Sequence, residues 1–272
     1  DPRTLEVLAR AQKVAALDTT ILLLGETGVG KEQFARYIYE NSARARQSFI
    51  GINCGAIPES LAESELFGYE EGAFTGAKKG GRLGLLEISH QGTLFLDEVE
   101  GMSPALQVKL LRVLQEREIM RVGGTSIIPI DVRIVAATNE SLERKVAEGT
   151  FRRDLYYRLS TLPIVIPPLS ERGDDLFLIL EQFQKELGGS FRLTPQVRGF
   201  LKSYSWPGNI RELRNVVEYF LYTGHDPITM EDLPPTVFHR APQAPIRQLP
   251  ETPQQPSSDV FRFVLELSLI HI

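Results

Sequence analysis

Short apolar runs alternate with amphipathic segments over the first two thirds of the chain. The runs rich in Leu, Ile, Val and Phe are short enough to be strands, and segments with helical spacing lie between several of them. The predicted strands span residues 19–25, 48–53, 92–98, 131–139 and 162–168. The run at 92–98 is apolar on both faces, as central parallel strands are. This alternation predicts an α/β fold with a parallel sheet sandwiched by helices.

Two segments between these runs have a clear helical pattern. Residues 31–45 carry apolar side chains at helical spacing. Residues 103–116 begin with Ser103, a favoured N-cap residue, and Pro104, which suits the first helical position. A single apolar stripe then follows, made of Leu106, Leu110, Leu111 and Leu114. We expect both segments to form helices.

The pattern changes at about residue 170. Four helical segments follow without an intervening strand, at 174–187, 194–204, 209–222 and 229–233. We therefore divide the chain into an α/β domain at 1–168 and a small all-helical domain at 169–238. Residues 239–260 are rich in Pro and Gln, which predicts a disordered linker, and residues 261–272 stay unassigned. The first residue is not Met, which indicates a segment of a longer protein.

Composition excludes several classes of protein. Apolar residues make up 42% and charged residues 24%, as in ordinary globular proteins. The net charge of -5 argues against a chain whose main role is to hold nucleic acid. Cys54 is the single cysteine, so an intrachain disulfide and a cysteine-rich zinc site are both excluded. No apolar run approaches the ~18 residues of a membrane helix, and no signal peptide is visible, so we expect a cytoplasmic protein without membrane contact.

The segment GETGVGKE at 25–32 leaves a predicted strand and enters a predicted helix, the context that a phosphate-binding P-loop requires. Glycines let consecutive N–H groups point at phosphate oxygens, and the Lys ammonium contacts the β- and γ-phosphates. A glycine-rich turn without a ligand is the alternative. Glu32 stands where Ser or Thr usually contacts Mg²⁺. The candidate nucleotide-binding residues are Gly25, Glu26, Thr27, Gly28, Val29, Gly30, Lys31 and Glu32.

Two acidic residues end the predicted strand at 92–98. Ligands of open parallel sheets bind at the carboxyl ends of strands, where Asp97 and Glu98 lie. Asp97 can hold Mg²⁺, and Glu98 can take a proton from an attacking water. Thr138 and Asn139 end another predicted strand, where the amide could orient that water or sense the γ-phosphate. The alternatives are that the acids cap the following turn and that Asn139 only forms one.

Residues 71–81 read EGAFTGAKKGG, a glycine-spaced loop with an apolar residue at its centre. Glycine permits tight loop dihedrals, so Phe74 and Thr75 are expected at the apex. An exposed apolar side chain suits binding to a partner. The alternative is a hairpin whose Phe74 folds back onto its own domain.

Five stretches together resemble the central domain of the sigma-54-dependent transcriptional activators, which are bacterial enhancer-binding proteins of the AAA+ ATPase class. They read GETGVGKE, NCGAIPESLAESELFGYEEGAFTGA, GTLFLDE, FRRDLYYRL and WPGNIRELRN. The resemblance runs from about residue 3 to residue 238 in the family's order. It implies an AAA+ P-loop fold with a helical lid, and Glu32 is usual in this family.

The resemblance also implies roles for single residues. The loop at 25–32 is similar to the Walker A motif, and Asp97 with Glu98 is similar to Walker B. Asn53 resembles the asparagine that engages the catalytic glutamate and couples it to the loop. Thr138 and Asn139 fall at sensor I. The implied catalytic set is Lys31, Asn53, Asp97, Glu98, Asn139, Arg152 and Arg158.

Three arginines have implied roles at the nucleotide. Arg152 and Arg158 resemble arginine fingers offered to the ATP of a neighbouring subunit, and Arg211 resembles the sensor II arginine of the lid. On the residues alone, the fingers could be a solvated helix face, with Arg153 between them. Arg211 could instead pair with Glu212 or Glu218. Trp206, in the turn before Arg211, is expected in the core.

The implied function is a ring of six or seven subunits that hydrolyses ATP with Mg²⁺ and remodels RNA polymerase holding sigma-54. The implied sigma-54 contact is the loop Gly72, Ala73, Phe74, Thr75, Gly76 and Ala77. Promoter or enhancer DNA would be bound through a domain absent from this chain. The alternatives are a AAA+ remodeller of another protein or DNA target, and a DNA-binding regulator in which ATP only assembles the ring.

Overall fold

A parallel β-sheet forms the centre of the chain in the computed structural model, which describes residues 1–238. The strands in these residues are β1 (Ile21–Leu24), β2 (Phe49–Asn53), β3 (Gly68–Tyr69), β4 (Arg82–Leu83), β5 (Thr93–Asp97), β6 (Glu118–Ile119), β7 (Ile128–Pro129), β8 (Arg133–Thr138) and β9 (Leu162–Val165). Five of these described strands pair in the order β2-β5-β8-β1-β9, and every pairing among them is parallel. The strands predicted from the apolar runs are the five of this sheet.

Helices connect the strands and then continue alone. Within residues 1–238 they are α1 (Pro2–Ala15), α2 (Lys31–Glu40), α3 (Glu59–Phe67), α4 (Leu85–Ile88), α5 (Pro104–Glu116), α6 (Leu142–Ala147), α7 (Arg153–Leu159), α8 (Asp175–Glu186), α9 (Pro195–Ser203), α10 (Asn209–Thr223) and α11 (Pro235–Phe238). None of these helices has both the length and the apolar character needed to cross a membrane.

The two faces of the sheet are buried in separate hydrophobic clusters. On β1, Leu22 packs with α3, α4, α5, α6 and α7, while its neighbours Ile21 and Leu23 pack with α1 and α2. The same alternation continues on β5, where Phe95 faces α1 and α2 and its neighbours face the other way. Successive side chains of a strand point to opposite faces. The predicted sheet covered on both faces is therefore confirmed.

Helix α5 begins as its sequence predicts. The Ser103 hydroxyl accepts a hydrogen bond from the Leu106 N–H at 3.4 Å, and Pro104 occupies the first turn. Leu106, Leu110 and Leu111 are buried in the core. The N-cap satisfies one of the N–H groups that a helix leaves unpaired at its start.

Two predicted helices differ from the structure. The helix expected at 31–45 ends at Glu40, because Asn41 and Ser42 bond the carbonyl groups of the last turn through their own side chains. The segment at 229–233 is a 3-10 turn at Met230–Asp232 rather than an α-helix. Helix α1 has no counterpart in the prediction. Its buried residues include Ala11 and Ala15, which give a weak apolar signal.

The helical segment after β9 has its own buried centre. Trp206 is 1% exposed and its indole N–H donates to the Leu201 carbonyl oxygen at 2.9 Å. Its ring also lies edge-on to Tyr204 at 5.1 Å. Trp206 is thus a core residue, as expected. The predicted linker at 239–260 and the unassigned residues 261–272 lie outside the described residues.

Candidate active site

The glycine-rich loop runs from the end of β1 to the start of α2 with two left-handed backbone positions. Gly28 has φ 79° and Gly30 has φ 96°. A Cβ on Gly28 would lie 2.4 Å from the Gly208 carbonyl oxygen, closer than any side chain can approach. The loop therefore requires glycine at position 28 both for its backbone and for the approach of the segment before α10.

Lys31 begins α2 and points back into the loop. Its ammonium donates to the carbonyl oxygens of Gly25 at 2.9 Å and Glu26 at 3.0 Å, and the residue is only 8% exposed. Burial lowers the pKa of Lys31, and the nearby Asp97 carboxylate opposes that shift. A charged donor at the N-terminus of a helix, next to a glycine-rich loop, is an arrangement suited to anionic phosphate.

Asp97 and Glu98 lie at the carboxyl end of β5. Burial raises the pKa of Asp97, while the Glu98 N–H, which donates to Asp97 Oδ1 at 3.0 Å, acts in the opposite direction. Burial thus outweighs the attraction between Asp97 and Lys31 for both groups. Glu98 adopts a left-handed backbone with φ 52°, which is uncommon outside glycine.

The carboxylates near this strand end suit a hard cation. Asp97, Glu98 and Glu100 all act on the Lys31 charge, and oxygen ligands are those that Mg²⁺ prefers. No group of three or more His, Cys, Asp or Glu within residues 1–238 is arranged to hold a metal alone. A Mg²⁺ ion here would complete its shell with phosphate oxygens and water, as it commonly does.

Asn53 ends β2 directly beside Asp97 in the sheet register. Its side-chain oxygen accepts hydrogen bonds from the N–H groups of Gly55 at 2.9 Å and Ala56 at 3.0 Å. A Cβ on Gly55 would lie 2.7 Å from Glu98 Oε2, so the glutamate carboxylate rests on this turn. The described hydrogen bonds include none between Asn53 and Glu98. Their coupling stays a prediction, although the two side chains share Gly55 as a neighbour.

Asn139 reaches the glycine-rich loop from the end of β8. Its side-chain amide donates to Thr27 Oγ1 at 3.2 Å, and its backbone N–H donates to Glu100 Oε1 at 3.4 Å. Thr138 is buried, and its hydroxyl exchanges hydrogen bonds with the backbone of Glu140. Asn139 therefore belongs to the site, while the Thr138 hydroxyl shapes the turn that follows the strand.

The segment before α10 clasps the glycine-rich loop through a residue that the sequence did not single out. Asn209 is fully buried, and its amide donates to Glu26 Oε2 at 2.9 Å and to the Thr27 carbonyl oxygen at 3.2 Å. Its side-chain oxygen accepts from the Leu169 N–H. Nearby, the Ile210 N–H donates to the Gly28 carbonyl oxygen at 2.9 Å. In the sequence, the role of Asn209 is indicated only by its position in WPGNIREL, next to a turn.

Arg211 and Arg214 on α10 face the same cleft as the loop. The cleft measures about 570 Å³ and is lined by Thr27, Gly28, Gly30, Lys31, Glu32, Gln33, Asp97, Glu98, Asn139, Ile179, Phe183, Glu186, Ile210, Arg211 and Arg214. The alternative partners of Arg211 are otherwise engaged, because Glu218 pairs with Arg214 and Glu212 accepts from the Gly208 N–H. Arg211 thus faces the cleft as a guanidinium that could bind phosphate.

Arg152 and Arg158 are outside the set of residues that line this cleft. Arg152 precedes α7 and forms an exposed ion pair with Asp154 at 2.7 Å. Arg158, on α7, donates to the Leu114 carbonyl oxygen at 3.0 and 3.2 Å, at the last turn of α5. Arg153 is exposed between them. Neither candidate finger lines the cleft of its own chain.

The loop at 72–77 projects between β3 and β4, which pair antiparallel. Phe74 is 43% exposed, and its ring meets Tyr69 edge-on at 4.9 Å. The expectation of an apical Phe74 and the alternative of a folded-back Phe74 each describe part of this geometry. The Phe74 ring contacts Tyr69 on the stem and stays partly exposed to solvent.

A second hairpin supports the stem of this loop. The Glu70 N–H donates to the Val122 carbonyl oxygen, and the Val122 N–H donates to the Gly68 carbonyl oxygen. Arg121 also bridges Glu70 at 3.1 Å and Glu87 at 2.8 Å. The hairpin β6–β7 was not predicted, because its strands are two residues long. It ties the loop to the segment that leads from α5 to β8.

Curated proteins similar to this chain include a transcriptional-control protein and a regulatory protein. A signal-transduction and transcriptional-control protein of Clostridium beijerinckii is 54% identical over 74% of this chain and 32% of its own length. Regulatory protein AtoC of Escherichia coli (strain K12) is 46% identical over 87% of this chain and 52% of its own. Nitrogen fixation protein VnfA of Azotobacter vinelandii is 48% identical over 89% of this chain and 46% of its own length. The chain thus spans between a third and about half of these relatives.

Solved structures share the same fold. NtrX from Brucella abortus superposes with a TM-score of 0.80 at 37% identity, over 86% of this chain and 55% of that one. NtrX in complex with ATP gives a TM-score of 0.78 at 37% identity, over 85% and 55%. Hsp104 in its closed state, at 20% identity and a TM-score of 0.56 over 75% and 40%, shares the fold alone.

Two family descriptions cover the chain in succession. Residues 1–165 match the Sigma-54 interaction domain, and residues 170–249 match the AAA+ ATPase lid domain. The first match alone spans more than half of the chain. The chain therefore belongs to the sigma-54 interaction domain family of AAA+ ATPases, the family of the sigma-54-dependent transcriptional activators.

Proposed function

We propose that this chain binds ATP with Mg²⁺ in the cleft between the glycine-rich loop and α10, and hydrolyses it. The observation that carries the proposal is the convergence of Lys31, Asp97, Glu98, Asn139 and Arg211 on that one cleft. The α/β domain at 1–168 would supply the glycine-rich loop with Asp97 and Glu98, and the helical domain at 169–238 would act as the lid.

Each residue has a task that its contacts support. The N–H groups of the loop and the Lys31 ammonium bind the phosphates, and Arg211 approaches them from α10. Asp97 would hold Mg²⁺, which would supply positive charge next to the phosphate oxygens. Glu98, whose carboxylate lies beside Gly55 and lines the cleft, takes the proton of the attacking water. Asn139, bonded to Thr27, orients the water or senses the γ-phosphate.

Hydrolysis is completed by a second copy of the chain. Arg152 and Arg158 are outside the cleft of their own chain, so their guanidinium groups would serve the cleft of the next subunit. An arginine finger supplied in trans is worth roughly 10³–10⁵-fold in rate in well-studied NTPases. Activity would then require a ring, of six or seven subunits, and would depend on assembly.

The loop at 72–77 is the proposed output. It carries a half-exposed Phe74 on a stem that is held by Arg121 and Val122. We infer that it binds sigma-54 in RNA polymerase, and that the nucleotide sets its position, so that hydrolysis remodels the complex and activates transcription in the bacterial cytoplasm. Contact with promoter or enhancer DNA would come from a part of the protein beyond this chain.

The first test is Glu98→Gln. Removing the base should lower kcat for ATP by about 100-fold or more, since general-base catalysis typically contributes 10²–10⁴-fold, while ATP binding is kept. Turnover is measured by phosphate release and binding by a fluorescent ATP analogue. Glu181→Gln, an exposed change on α8, is the matched control. Unchanged turnover in Glu98→Gln would contradict the assignment.

The second candidate function is the remodelling of a different target, since the ATPase residues alone allow it. Thr75→Ala separates the two candidates, because Thr75 lies at the loop tip and is not among the residues that line the cleft. We expect ATPase activity near that of the wild type and loss of sigma-54 binding in a pull-down. Ser203→Ala, at the exposed end of α9, serves as control. Retained sigma-54 binding would show that Thr75 is not part of the contact, and a wild type that does not bind sigma-54 would favour another target.

A further inference from the structure

Gln107 is a polar residue on the buried face of α5 that no part of the proposed mechanism uses. It is 1% exposed, in a stripe of core leucines. Its side-chain N–H groups donate to the carbonyl oxygens of Met102 at 2.9 Å and Thr150 at 3.1 Å. Its side-chain oxygen accepts from the Arg152 N–H at 2.9 Å. An amide has two donors and one oxygen, so every group of the Gln107 side chain is engaged with backbone.

The segments that Gln107 joins are both parts of the proposed machinery. Met102 directly follows the 3-10 turn Val99–Gly101, and that turn directly follows Glu98. Thr150 and Arg152 form the approach to α7, which carries the candidate fingers. One buried side chain thus connects the segment behind the catalytic glutamate of this chain to the arginine that would serve the next chain.

Helix α5 holds the second finger as well. Arg158 donates twice to the Leu114 carbonyl oxygen, and Leu114 lies seven residues after Gln107. Two helical turns separate positions i and i+7, so both contacts are on one side of α5. The backbone of Arg152 and the guanidinium of Arg158 are therefore both placed relative to the same helix.

We propose that Gln107 is a positioning residue for the arginine fingers. It fixes the backbone at Arg152 against α5 and against the turn after Glu98, so that the fingers reach the neighbouring cleft in a defined place. This inference rests on the proposed function, because it requires fingers that act in trans. A displacement of 1 Å can cost on the order of 100-fold in rate, so a loosened Arg152 should reduce catalysis strongly.

Gln107→Met tests the proposal, since methionine has a similar length and cannot make the three hydrogen bonds. We expect kcat for ATP to fall by about 10- to 100-fold with KM nearly unchanged, because a finger acts in the transition state rather than on bound ATP. Leu110→Val, a core change on the same helix, is the control for general loosening and should retain kcat. A KM increase without loss of kcat would overturn the proposal.

A mixing experiment separates an effect in trans from an effect in cis. Gln107→Met subunits keep Glu98 but present poorly placed fingers, whereas Glu98→Gln subunits present intact fingers and cannot hydrolyse ATP. In a random equal mixture, about a quarter of the interfaces combine the two intact halves. We expect the mixture to hydrolyse more ATP than the sum of the two variants measured alone.

A reference pair distinguishes failure of this inference from failure of the proposed function. Arg158→Ala mixed with Glu98→Gln should show the same rise. If the reference pair rises and the Gln107→Met pair does not, Gln107 acts in its own chain and the inference is wrong. If the reference pair fails, fingers in trans are wrong, and the inference falls with them.

A second variant at the same position, combined with measurements of folding, separates loss of catalysis from loss of structure. Gln107→Glu retains an acceptor for the Arg152 N–H and loses the donors to Met102 and Thr150. Thermal unfolding and binding of a fluorescent ATP analogue establish that each variant is folded before rates are compared. A variant that is folded and hydrolyses ATP at the wild-type rate would overturn the proposal.

Discussion

Two separate features of the structure require glycine at position 28. Its φ of 79° is costly for any residue with a side chain, and the Gly208 carbonyl oxygen occupies the place that a Cβ would take. The first demand arises within the loop and was expected from the motif. The second arises from the segment before α10, 180 residues further along the chain.

Gly28→Ala should therefore be more damaging than an alanine at another left-handed glycine. We expect a lower melting temperature and a large loss of ATP affinity, since the segment before α10 must move away from the loop. Gly188→Ala is the matched control, with φ 71° and nothing within 4 Å of its Cβ position. It should cost only about 1 kcal/mol of stability. Equal effects of the two substitutions in thermal unfolding would contradict the steric explanation.

The residues of the cleft were largely predictable, and their partners were not. Lys31, Asp97, Glu98 and Asn139 lie in local patterns of glycine, strand and turn. Asn209 and Gln107 act through contacts with segments far away in the chain, and a single Asn or Gln gives no local signal of such contacts. Burial decides their role, and burial depends on the whole fold.

At the scale of elements, the five strands of the sheet and the helices α2, α5, α8, α9 and α10 were predictable because their apolar residues repeat. Helix α1, although 14 residues long, was not predicted. Helix α3 was missed, since exposed Leu61 and buried Leu66 do not form one stripe. The stem strands β3, β4, β6 and β7 are two residues long, too short for alternation to be recognised. Arg121, which pairs with Glu70 and Glu87, links the segments that flank these strands.

The 3-10 turn at Met230–Asp232 provides a pH-dependent element. Hydrogen bonds from the Thr229 N–H, from His225 and from the Thr229 hydroxyl lower the pKa of Asp232 to about 2. Because the folded pKa is below the unfolded value of ~4, this stabilisation is present above pH ~4 and is lost as the pH falls towards 2.

Asp232→Asn should remove that part of the acid sensitivity. We expect the variant to be less stable than the wild type at neutral pH, and the difference to shrink as the pH falls below about 4. Urea unfolding at a series of pH values measures it. Glu231→Gln, on the same turn, is the control. A difference between wild type and Asp232→Asn that stays constant with pH would contradict the role of Asp232.

At the scale of the whole molecule, the cleft and the candidate fingers are separate. The fingers are anchored to α5 through Leu114 and Gln107, outside the residues that line the cleft. One chain thus carries one half of each of two proposed catalytic centres. A molecule divided in this way is expected to be active only next to another copy.

Specific ATPase activity should therefore fall when the protein is diluted. Arg158→Ala should be almost inactive at every concentration, with a loss on the order of 10³-fold or more. Arg153→Ala, exposed on the same helix, is the matched control and should lose far less. Phosphate release across a dilution series, alongside light scattering, measures both. Activity per subunit that does not change on dilution would argue for a self-sufficient monomer.

The ring contact between Phe74 and Tyr69 has a consequence for recognition. A surface that draws Phe74 away from the stem must replace that contact, which for aromatic pairs is worth about 0.5–1.5 kcal/mol. A flat apolar surface makes too few contacts with Phe74 to replace the contact with Tyr69, whereas a pocket that fits the ring makes more. Tyr69 thus acts as an internal competitor, which sets a threshold that a genuine target has to exceed.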